Sequence, residues 1–409
     1  MFTLWRIAVR DLGRNKRRSA LTLIAVAMGL ALVIALHGFE MGAIQGVIDD
    51  NIRVQTGHVQ VRGESYDEDK VSLKWEDLLE EPQGLAAQAQ TLAEVRAAAP
   101  VLWAGGVLAT VDESVGVRVF GIAPPSELAA PFREGLVAGE FLAPDDRGGV
   151  LISRRLAKSL GLTVGDDVSL LINTSGEQPD EATFTIRGLY DTGLPGFDEA
   201  TIFIPLAKAQ AFTRVGDRAS AVMALLHDRE DADAVASALR APGLELLTWR
   251  DLNQLMVEGM NQAMRFLYMI YLIVLAIVAV VVANTLLMSV FERTREMGIL
   301  AALGMKGRQI MMMFVLESAT LGAIGVFLGV LLGSLGVYYL ATEGIYLGDI
   351  DMADVVSADI AFGETMYARF QWADTAVLSV VCWIIMLLAS LYPAWFATRK
   401  EPIDALLAL

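Results

Sequence analysis

Residues 266–290 decide the fold class, because they read FLYMIYLIVLAIVAVVVANTLLMSV without a single charged side chain. A bilayer core about 30 Å thick is crossed by about 20 apolar residues in helical conformation. A buried core helix of a soluble protein is usually a shorter apolar run, of about 10–14 residues. The stretch therefore predicts a helix that crosses a membrane.

Three further stretches are long and apolar enough to cross a membrane. They are residues 20–39, the region between residues 310 and 340, and residues 373–392, where Pro393 is predicted to end the helix. Lys16, Arg17 and Arg18 precede the first stretch, but no small-residue cleavage site follows it, so we interpret it as an uncleaved signal anchor. With 55% hydrophobic residues, the chain also exceeds the usual content of soluble domains.

Charge is distributed unevenly between the segments that the four spans separate. Residues 1–19, 292–309 and the segment after Pro393 together carry 12 basic and 5 acidic side chains, whereas residues 40–263 and 341–372 carry 19 basic and 41 acidic ones. Cytoplasmic segments of membrane proteins carry the excess of Lys and Arg. The pattern predicts cytoplasmic N and C termini and a cytoplasmic 292–309 loop.

The composition excludes several functions. A formal net charge of −16 argues against nucleic acid as a partner. The single cysteine, Cys382, excludes an internal disulfide framework and a cysteine-based zinc site. His37, His58 and His227 are too scattered to indicate a metal site. The sequence also lacks the G-x-x-x-x-G-K-[ST] phosphate loop, so this chain is not expected to hydrolyse ATP itself.

The predicted fold is a membrane α-helical protein of four transmembrane helices, with a large α+β domain between helices 1 and 2. Residues 1–40 are assigned to an N-terminal interfacial helix and the first span, residues 41–263 to the outer domain with its stalk helices, and residues 264–409 to the remaining spans. Strands of the outer domain are predicted at 59–61, 115–120, 168–172, 183–186, 201–204 and 221–226. Its helices are predicted at 85–99, 154–160 and 232–239.

Apolar residues keep a helical period just beyond the outer ends of the first two spans. One stripe runs from Phe39 through Ile44 to Ile52, and the other runs from Leu252 through Met260 to Leu267. Both spans are therefore predicted to continue outward as amphipathic helices. The alternative interpretation is that these apolar residues belong to the core of the outer domain.

Residues 292–305 read ERTREMGILAALGM and mix charged with apolar side chains. Met297, Leu300, Ala301 and Gly304 fall at helical spacing, which predicts a short amphipathic helix. Such a helix between two spans lies on the membrane surface or docks into the groove of a partner. A plain surface loop is the alternative, but it would leave the apolar face without a function.

The third span contains a carboxylate and a glycine stripe. A lone Glu317 at mid-membrane would cost about 2.5–3.5 kcal/mol, so it is expected to contact the 292–309 helix or its partner, or to lie at the interface. Gly325, Gly329 and Gly333 follow the small-residue spacing that lets two membrane helices pack closely.

Together these segments resemble the permease subunits of the MacB/LolCDE/FtsX group, the ABC transporters that transmit mechanical force. The matching residues are the basic stretch 14–19, the loop 292–304, FVLES at 314–318, and the ending YPAWFATRKEPIDAL at 392–406. The resemblance covers both membrane parts and the order of the segments.

The resemblance implies that residues 292–309 form a coupling helix that receives force from a cytoplasmic ABC ATPase dimer. ATP and Mg would be used by that partner, and this chain would bind no cofactor. A second permease subunit, identical or different, and a location in the bacterial inner membrane with the large domain in the periplasm are also implied. The residues implied to couple to the ATPase are Glu292, Arg293, Arg295, Glu296, Met297, Gly298, Leu300, Leu303 and Gly304.

Within the group, the outer domain resembles the lipoprotein-releasing LolC/LolE branch, through residues 38–40, 120–124, 156–167 and 191–198. The implied substrate is a lipoprotein drawn out of the membrane lipid for delivery toward the outer membrane. The apolar stripes are then the candidate site for its acyl chains. The predicted substrate-binding residues are Phe39, Met41, Ile44, Met256, Met260, Met264 and Leu267.

One departure from the lipoprotein-releasing branch keeps other functions open. In LolC a protruding hook recruits the periplasmic carrier, whereas the matching residues 173–182 are a short polar turn with Gly176 and Pro179. Docking of a carrier is therefore left open. MacB-like export of another substrate and FtsX-like signalling to a cell-wall hydrolase are the alternatives.

Overall fold

The computed structural model describes residues 16–67, 70–111, 113–346 and 365–398. The predicted interfacial helix at the N-terminus, the ending at 399–406 and most of the acidic loop before the last span lie outside the described residues.

The chain divides into two compact units. The helical unit contains the described residues of 1–44, then Met260–Tyr346 and the described residues from Thr365 onward. The sheet unit contains the described residues of Gln45–Gly259. The helices Lys16–Asn51 and Gln254–Glu292 therefore each contribute residues to both units.

The α-helices are numbered here in chain order. They are α1 (Lys16–Asn51), α2 (Pro82–Ala89), α3 (Ala130–Glu134), α4 (Arg154–Leu160), α5 (Pro195–Asp198), α6 (Leu206–Thr213), α7 (Ala232–Ala238), α8 (Trp249–Leu252), α9 (Gln254–Glu292), α10 (Thr294–Ala302), α11 (Gly307–Thr342) and α12 (Trp372–Thr398).

Helices α1, α9, α11 and α12 are long and apolar enough to cross a membrane, which confirms the four predicted apolar helices. Helices α1 and α9 contain 36 and 39 residues. At 1.5 Å per residue they are about 54 and 58 Å long, whereas a bilayer core is about 30 Å thick. The predicted helical continuation of the first two spans is therefore confirmed, and a π-helical turn, Ile52–Thr56, follows α1.

Pro393 lies inside α12, so the prediction that it ends the helix is wrong. Proline removes one helical hydrogen bond, but membrane helices tolerate it where neighbouring elements pack around the freed carbonyl group. Here Pro393 is buried, and Ala394 and Ala397 join an apolar cluster with Phe314 of α11. Packing against α11 outweighs the local cost, and the helix continues to Thr398.

The glycine stripe of α11 packs against α1, as its spacing predicts. A Cβ atom added at Gly329 would lie 2.9 Å from the Cβ of Leu30, closer than real side chains allow. Cβ atoms at the other two glycines would come equally close to α1. The glycines therefore let the two backbones approach each other. The facing pairs are Gly325 with Val26, Gly329 with Leu30, and Gly333 with Ile34.

Ten strands form one sheet in the sheet unit, in the order β10-β1-β9-β2-β3-β8-β5-β7-β4, and β6 pairs with β2 and β7. The β3–β8 and β5–β7 pairs are parallel, and the other pairs of this sheet are antiparallel. The strands are β1 (Val59–Gly63), β2 (Val95–Ala109), β3 (Ser114–Ile122), β4 (Leu136–Gly139), β5 (Gly149–Ser153), β6 (Asp167–Asn173), β7 (Pro179–Tyr190), β8 (Thr201–Pro205), β9 (Ala221–Leu226) and β10 (Leu244–Thr248). A separate two-stranded sheet, β11 (Ile345–Tyr346) with β12 (Thr365–Met366), lies in the helical unit.

The helix predicted at 85–99 is wrong in its second half. Helix α2 ends at Ala89, and β2 begins at Val95. Alanines 97–99 favour a helix locally, but they pair with β9 in the middle of the sheet and are almost fully buried. Small side chains suit a crowded central strand, so the tertiary environment overrides the local preference.

Helices α4 and α6 cover one apolar face of the sheet. Leu156 of α4 and Phe212 of α6 pack with Leu108, Leu170 and Phe184 of the strands. A second cluster is aromatic and contains Phe132, Tyr190, Phe197 and Phe203. These two cores make the sheet unit an α+β structure.

The turn between β6 and β7 is short, as the sequence predicts. The N–H of Thr174 donates to the carbonyl of Gln178 at 2.9 Å, and the N–H of Glu177 donates to the carbonyl of Thr174 at 2.9 Å. Five residues, 174–178, connect the two strands. This hairpin therefore has no long protruding segment.

Candidate functional site

Helix α10 corresponds to the predicted coupling helix. Helix α9 ends at Glu292 and α10 begins at Thr294, so Arg293 alone separates them. The hydroxyl of Thr294 donates to the carbonyl of Val290 at 3.0 Å, and the N–H of Met297 donates to the carbonyl of Arg293 at 3.0 Å. The helical pattern is therefore interrupted at a single buried residue, Arg293, which forms the turn between the two helices.

The other end of α10 requires a glycine. Gly304 has a φ of +94°, and the N–H of Met305 donates to the carbonyl of Leu300 at 3.0 Å. This left-handed ending is one that glycine adopts without strain. A substitution at Gly304 would therefore disturb the end of the helix as well as its surface.

One face of α10 packs against α9, α11 and α12. Met297 is 5% exposed, and Gly298 beside it is also buried. The apolar cluster around this face holds the helix in place and contains Val290, Met297, Ile310, Met313, Phe314, Ala394 and Ala397.

The opposite face of α10 is exposed and contains Arg295, Ile299 and Ala302, and the exposed Leu303 follows directly after the last residue of the helix. Leu303 is 81% exposed and Ile299 is 47% exposed. These residues recur at intervals of three and four positions, so they lie on one side of the helix. A charged residue beside exposed aliphatic side chains suits a helix that docks into a groove of another protein. We call these four residues the docking face.

A cluster of charges lies directly behind α10, and we call it the Glu317 cluster. The guanidinium of Arg293 is 3.5 Å from one carboxylate oxygen of Glu317, and that of Arg18 is 3.9 Å from the other. Arg18 also donates to Glu292 at 2.8 Å and to the hydroxyl of Ser289 at 2.9 Å. The cluster joins α1, α9, the residue before α10, and α11.

The structure confirms that Glu317 contacts the 292–309 segment. It divides the predicted coupling residues into three groups by exposure. Arg293, Met297 and Gly298 are buried, Glu296 and Leu300 are partly exposed, and Glu292, Arg295, Leu303 and Gly304 are exposed. Their role in coupling stays a prediction.

Sequence reasoning missed Arg18 and Ser289 as members of this site. Arg18 reads as one of several basic residues before a span, and the sequence holds no sign that its side chain turns back toward Glu317. Ser289 is fully buried. A polar residue near the end of an otherwise apolar span is a weak signal that could have indicated a buried hydrogen bond.

The predicted substrate-binding residues lie in the C-terminal half of α1 and the N-terminal half of α9. Phe39 packs against the apolar core of the helical unit. Met256 is buried in the sheet unit. The other five are partly exposed on the helical unit, and their role in binding stays a prediction; they are Met41, Ile44, Met260, Met264 and Leu267.

A second polar cluster, the His37 cluster, joins α1, α9 and α12. The Nε2 atom of His37 is 3.0 Å from a carboxylate oxygen of Asp374. The hydroxyl of Tyr271 is 3.4 Å from Glu40, and its ring meets the imidazole of His37 edge-on at 6.0 Å. His37 and Arg18 are about 28 Å apart along α1 at 1.5 Å per residue.

Within the described ranges, no group of three or more His, Cys, Asp and Glu side chains is arranged to hold a metal ion.

Comparison with known proteins identifies the class. Residues 268–402 match the model of the FtsX-like permease C-terminal domain, and residues 19–241 match that of the MacB-like periplasmic core domain. The chain belongs to the family of permeases with a MacB-like periplasmic core domain, and it is an ABC-transporter permease of the LolC/MacB/FtsX type.

Three relatives show how far the likeness extends. The lipoprotein-releasing system transmembrane protein LolC of Neisseria meningitidis serogroup B is 24% identical, over 99% of each chain. The corresponding protein LolE of Haemophilus influenzae is 22% identical, over 94% of this chain and 92% of its own. The macrolide export ATP-binding/permease protein MacB of Bordetella avium is 24% identical, over 98% of this chain and 59% of its own.

Proposed function

We propose that this permease converts ATP hydrolysis by a separate cytoplasmic ATPase into movement of its periplasmic domain, and that the movement extracts a lipoprotein from the inner membrane. In this proposal both termini and α10 are cytoplasmic, because the segments on that side carry the excess of basic residues. The sheet unit then lies in the periplasm.

The docking face of α10 carries the coupling part of the proposal. Leu303 and Ile299 are exposed, while the opposite face of the helix is held against three other helices. A helix fixed on one side and apolar on the other is suited to bind a partner and to pass its motion to the membrane helices. An ABC ATPase dimer is the proposed partner.

The lengths of α1 and α9 support transmission across the membrane. The Glu317 cluster and the His37 cluster are about 28 Å apart along α1, which is close to the thickness of a bilayer core. We therefore propose that the bilayer lies between these two clusters. The remaining turns of α1 and α9 continue beyond the membrane and reach the sheet unit without a helix break.

The end-to-end similarity to LolC supports a lipoprotein as the substrate. The relative from Neisseria meningitidis matches over 99% of both chains, so the likeness includes both the helical unit and the sheet unit. The partly exposed apolar residues of α1 and α9 are the proposed site for the acyl chains. Removal of a chain from the bilayer costs about 0.8 kcal/mol for each CH₂ group, and contact with these residues would offset part of that cost.

A second permease subunit completes the proposal, because each ATPase of a pair requires a docking face. The turn between β6 and β7, which corresponds to the carrier-recruiting hook of LolC, is only five residues long in this chain. If the complex uses a periplasmic carrier, we therefore propose that the second subunit recruits it. MacB-like export is the second candidate function, because the MacB relative matches 98% of this chain.

The test is to purify the full chain with its native partners and to reconstitute the complex in liposomes that contain a labelled lipoprotein. We expect an ABC ATPase and a second permease subunit to copurify, and ATP to release the lipoprotein into the soluble fraction. Release of a small molecule instead would favour export. A cell-wall hydrolase or its activator in the complex, without any release, would favour signalling.

A substitution in the docking face tests the coupling step. Leu303→Asp should leave the fold intact, because the side chain is already exposed, and should weaken ATPase binding about tenfold or more, which corresponds to the loss of about 1.4 kcal/mol. Val111→Asp, at a fully exposed position between β2 and β3 of the sheet unit, is the matched control. Normal ATPase binding and normal release by Leu303→Asp would contradict the role of this face.

A further inference from the structure

Glu317 is the centre of the charge cluster behind α10. It is 1% exposed, and its two carboxylate oxygens face different arginines. Arg293 lies at the turn between α9 and α10, and Arg18 lies near the start of α1. One carboxylate therefore interacts with the segment that leads into the coupling helix and with the first membrane helix at the same time.

The surroundings of Glu317 make these interactions strong. The cavity next to it, lined by Arg18, Thr22, Thr285 and Ser318, has a volume of about 10 Å³. That is about the smallest space in which a water molecule fits. Arg293 is only 4% exposed. Charges with so little access to water attract each other much more strongly than surface charges do, and each depends on its partners.

The position of Arg293 between α9 and α10 suits the cluster to transmit movement from one helix to the others. Helices α9 and α10 are separate elements, and a push on α10 could be absorbed by bending at the single residue between them. The contact with Glu317 ties this residue to α11, and the contact with Arg18 extends the tie to α1. Arg18 also donates to Glu292 and Ser289 at the end of α9, so the end of α9 is held together with the residue that follows it.

We propose that Glu317 is a positioning residue that fixes the turn between α9 and α10 to α1 and α11, so that displacement of the coupling helix moves these helices together. The inference rests on the proposed function, since it names the residues through which that function transmits force. Loss of the Glu317 charge would leave ATPase docking intact, because the docking face is on the opposite side of α10. It would uncouple ATP hydrolysis from substrate release.

The experiment compares substrate released per ATP hydrolysed in the reconstituted complex. Glu317→Gln should lower this ratio about tenfold, within the range of about 5–150-fold that is typical of coupling between sites. ATPase binding should stay unchanged. Glu317→Asp keeps the charge and should restore most of the ratio. Glu343→Gln, at the exposed far end of α11, is the matched control and should behave like the unsubstituted protein.

A second variant keeps the test decisive if Glu317→Gln does not fold. Arg18→Gln removes the tie to α1 from a side chain that is 18% exposed, and it should also lower the release per ATP. The inference is overturned if Glu317→Gln, or Arg18→Gln where Glu317→Gln does not fold, releases the normal amount of substrate per ATP hydrolysed. It is also overturned if Glu317→Asp is as impaired as Glu317→Gln. A complex of the unsubstituted chain that lacks an ATPase would instead overturn the proposed function itself.

Discussion

Two carboxylates of the sheet unit differ in their pKa because their surroundings differ. Asp198 is fully buried, and burial raises its pKa to about 6, although hydrogen bonds from the hydroxyl and the N–H of Thr192 partly oppose the shift. Burial also disfavours the charge of Asp146, but hydrogen bonds from Arg187 and from two backbone N–H groups outweigh it, so the pKa of Asp146 lies below its usual value.

The titration of Asp198 predicts a dependence of stability on pH. A raised folded-state pKa means that its contribution to stability is present below about pH 3.8 and is lost as the pH rises through about 6. The shift corresponds to at most about 3 kcal/mol. Asp198→Asn removes the ionisable group and therefore this loss of stability. The stability of the variant, measured relative to the unsubstituted protein, should therefore rise between about pH 4 and pH 7. Urea unfolding of the full chain in detergent at both pH values measures this difference.

Asp146→Asn is the control with the opposite sign. A lowered folded-state pKa contributes stability above the unfolded pKa, and this contribution is lost as the pH falls through the folded value. The Asn variant should therefore be more destabilised at about pH 7 than at a pH well below 3.8, the ordinary pKa of this carboxyl group. The same pH dependence in both variants would contradict the assignment of the two pKa shifts.

At the scale of elements, the contact between α1 and α11 depends on the absence of side chains at three glycines. Gly329→Ala would place a Cβ atom 2.9 Å from the Cβ of Leu30 and 3.1 Å from the carbonyl oxygen of Ala27. Because overpacking of this kind costs about 1–3 kcal/mol, the variant should unfold at a lower temperature. Thermal unfolding of the detergent-solubilised chain measures the effect.

Gly336 provides a matched control on the same helix. A Cβ atom there would meet only the Cβ of Ala35, at an ordinary distance of 3.8 Å. Gly336→Ala should therefore be neutral, or more stable by up to about 1 kcal/mol from the helix propensity of alanine. Equal destabilisation by both substitutions would show that close packing is not the reason for the effect at Gly329.

The elements also show which kinds of sequence signal are sufficient. The apolar spans, the helical continuation of the first two spans along the chain and the glycine stripe were predicted correctly, because each depends on a pattern within one helix. The helix at 85–99 was wrong, because alanines 97–99 are placed by their pairing with β9, more than 120 residues away in the sequence. The predicted end of the helix at Pro393 was wrong for a similar reason, because α12 tolerates this proline through packing against α11.

At the scale of the whole molecule, the candidate site was only half predictable. The sequence of α10 indicates an amphipathic helix, and the cost of a buried charge indicates that Glu317 needs a partner. It does not identify that partner, because Arg18 is about 300 residues away in the chain and meets Glu317 only when α1 and α11 pack together. The glycine stripe that permits this packing is therefore also what brings the two charges within reach.

The apolar residues beyond the His37 cluster give a last prediction for the whole molecule. Ile44 of α1 and Met260 of α9 are partly exposed, and in the proposed orientation both lie outside the bilayer core. A charged side chain at either position would exclude an acyl chain. Loss of contact with two CH₂ groups costs about 1.6 kcal/mol, which corresponds to somewhat more than tenfold weaker binding.

Ile44→Glu and Met260→Glu should therefore reduce ATP-driven lipoprotein release about tenfold while ATP hydrolysis continues. Both the label in the soluble fraction and the phosphate produced are measured in the same liposomes. Gln262→Glu adds the same charge at an exposed position of α9 outside the stripe, and release by this variant should be normal. If Ile44→Glu and Met260→Glu release lipoprotein as well as Gln262→Glu does, the acyl chains bind elsewhere, because a carboxylate cannot share a dry contact with a hydrocarbon chain.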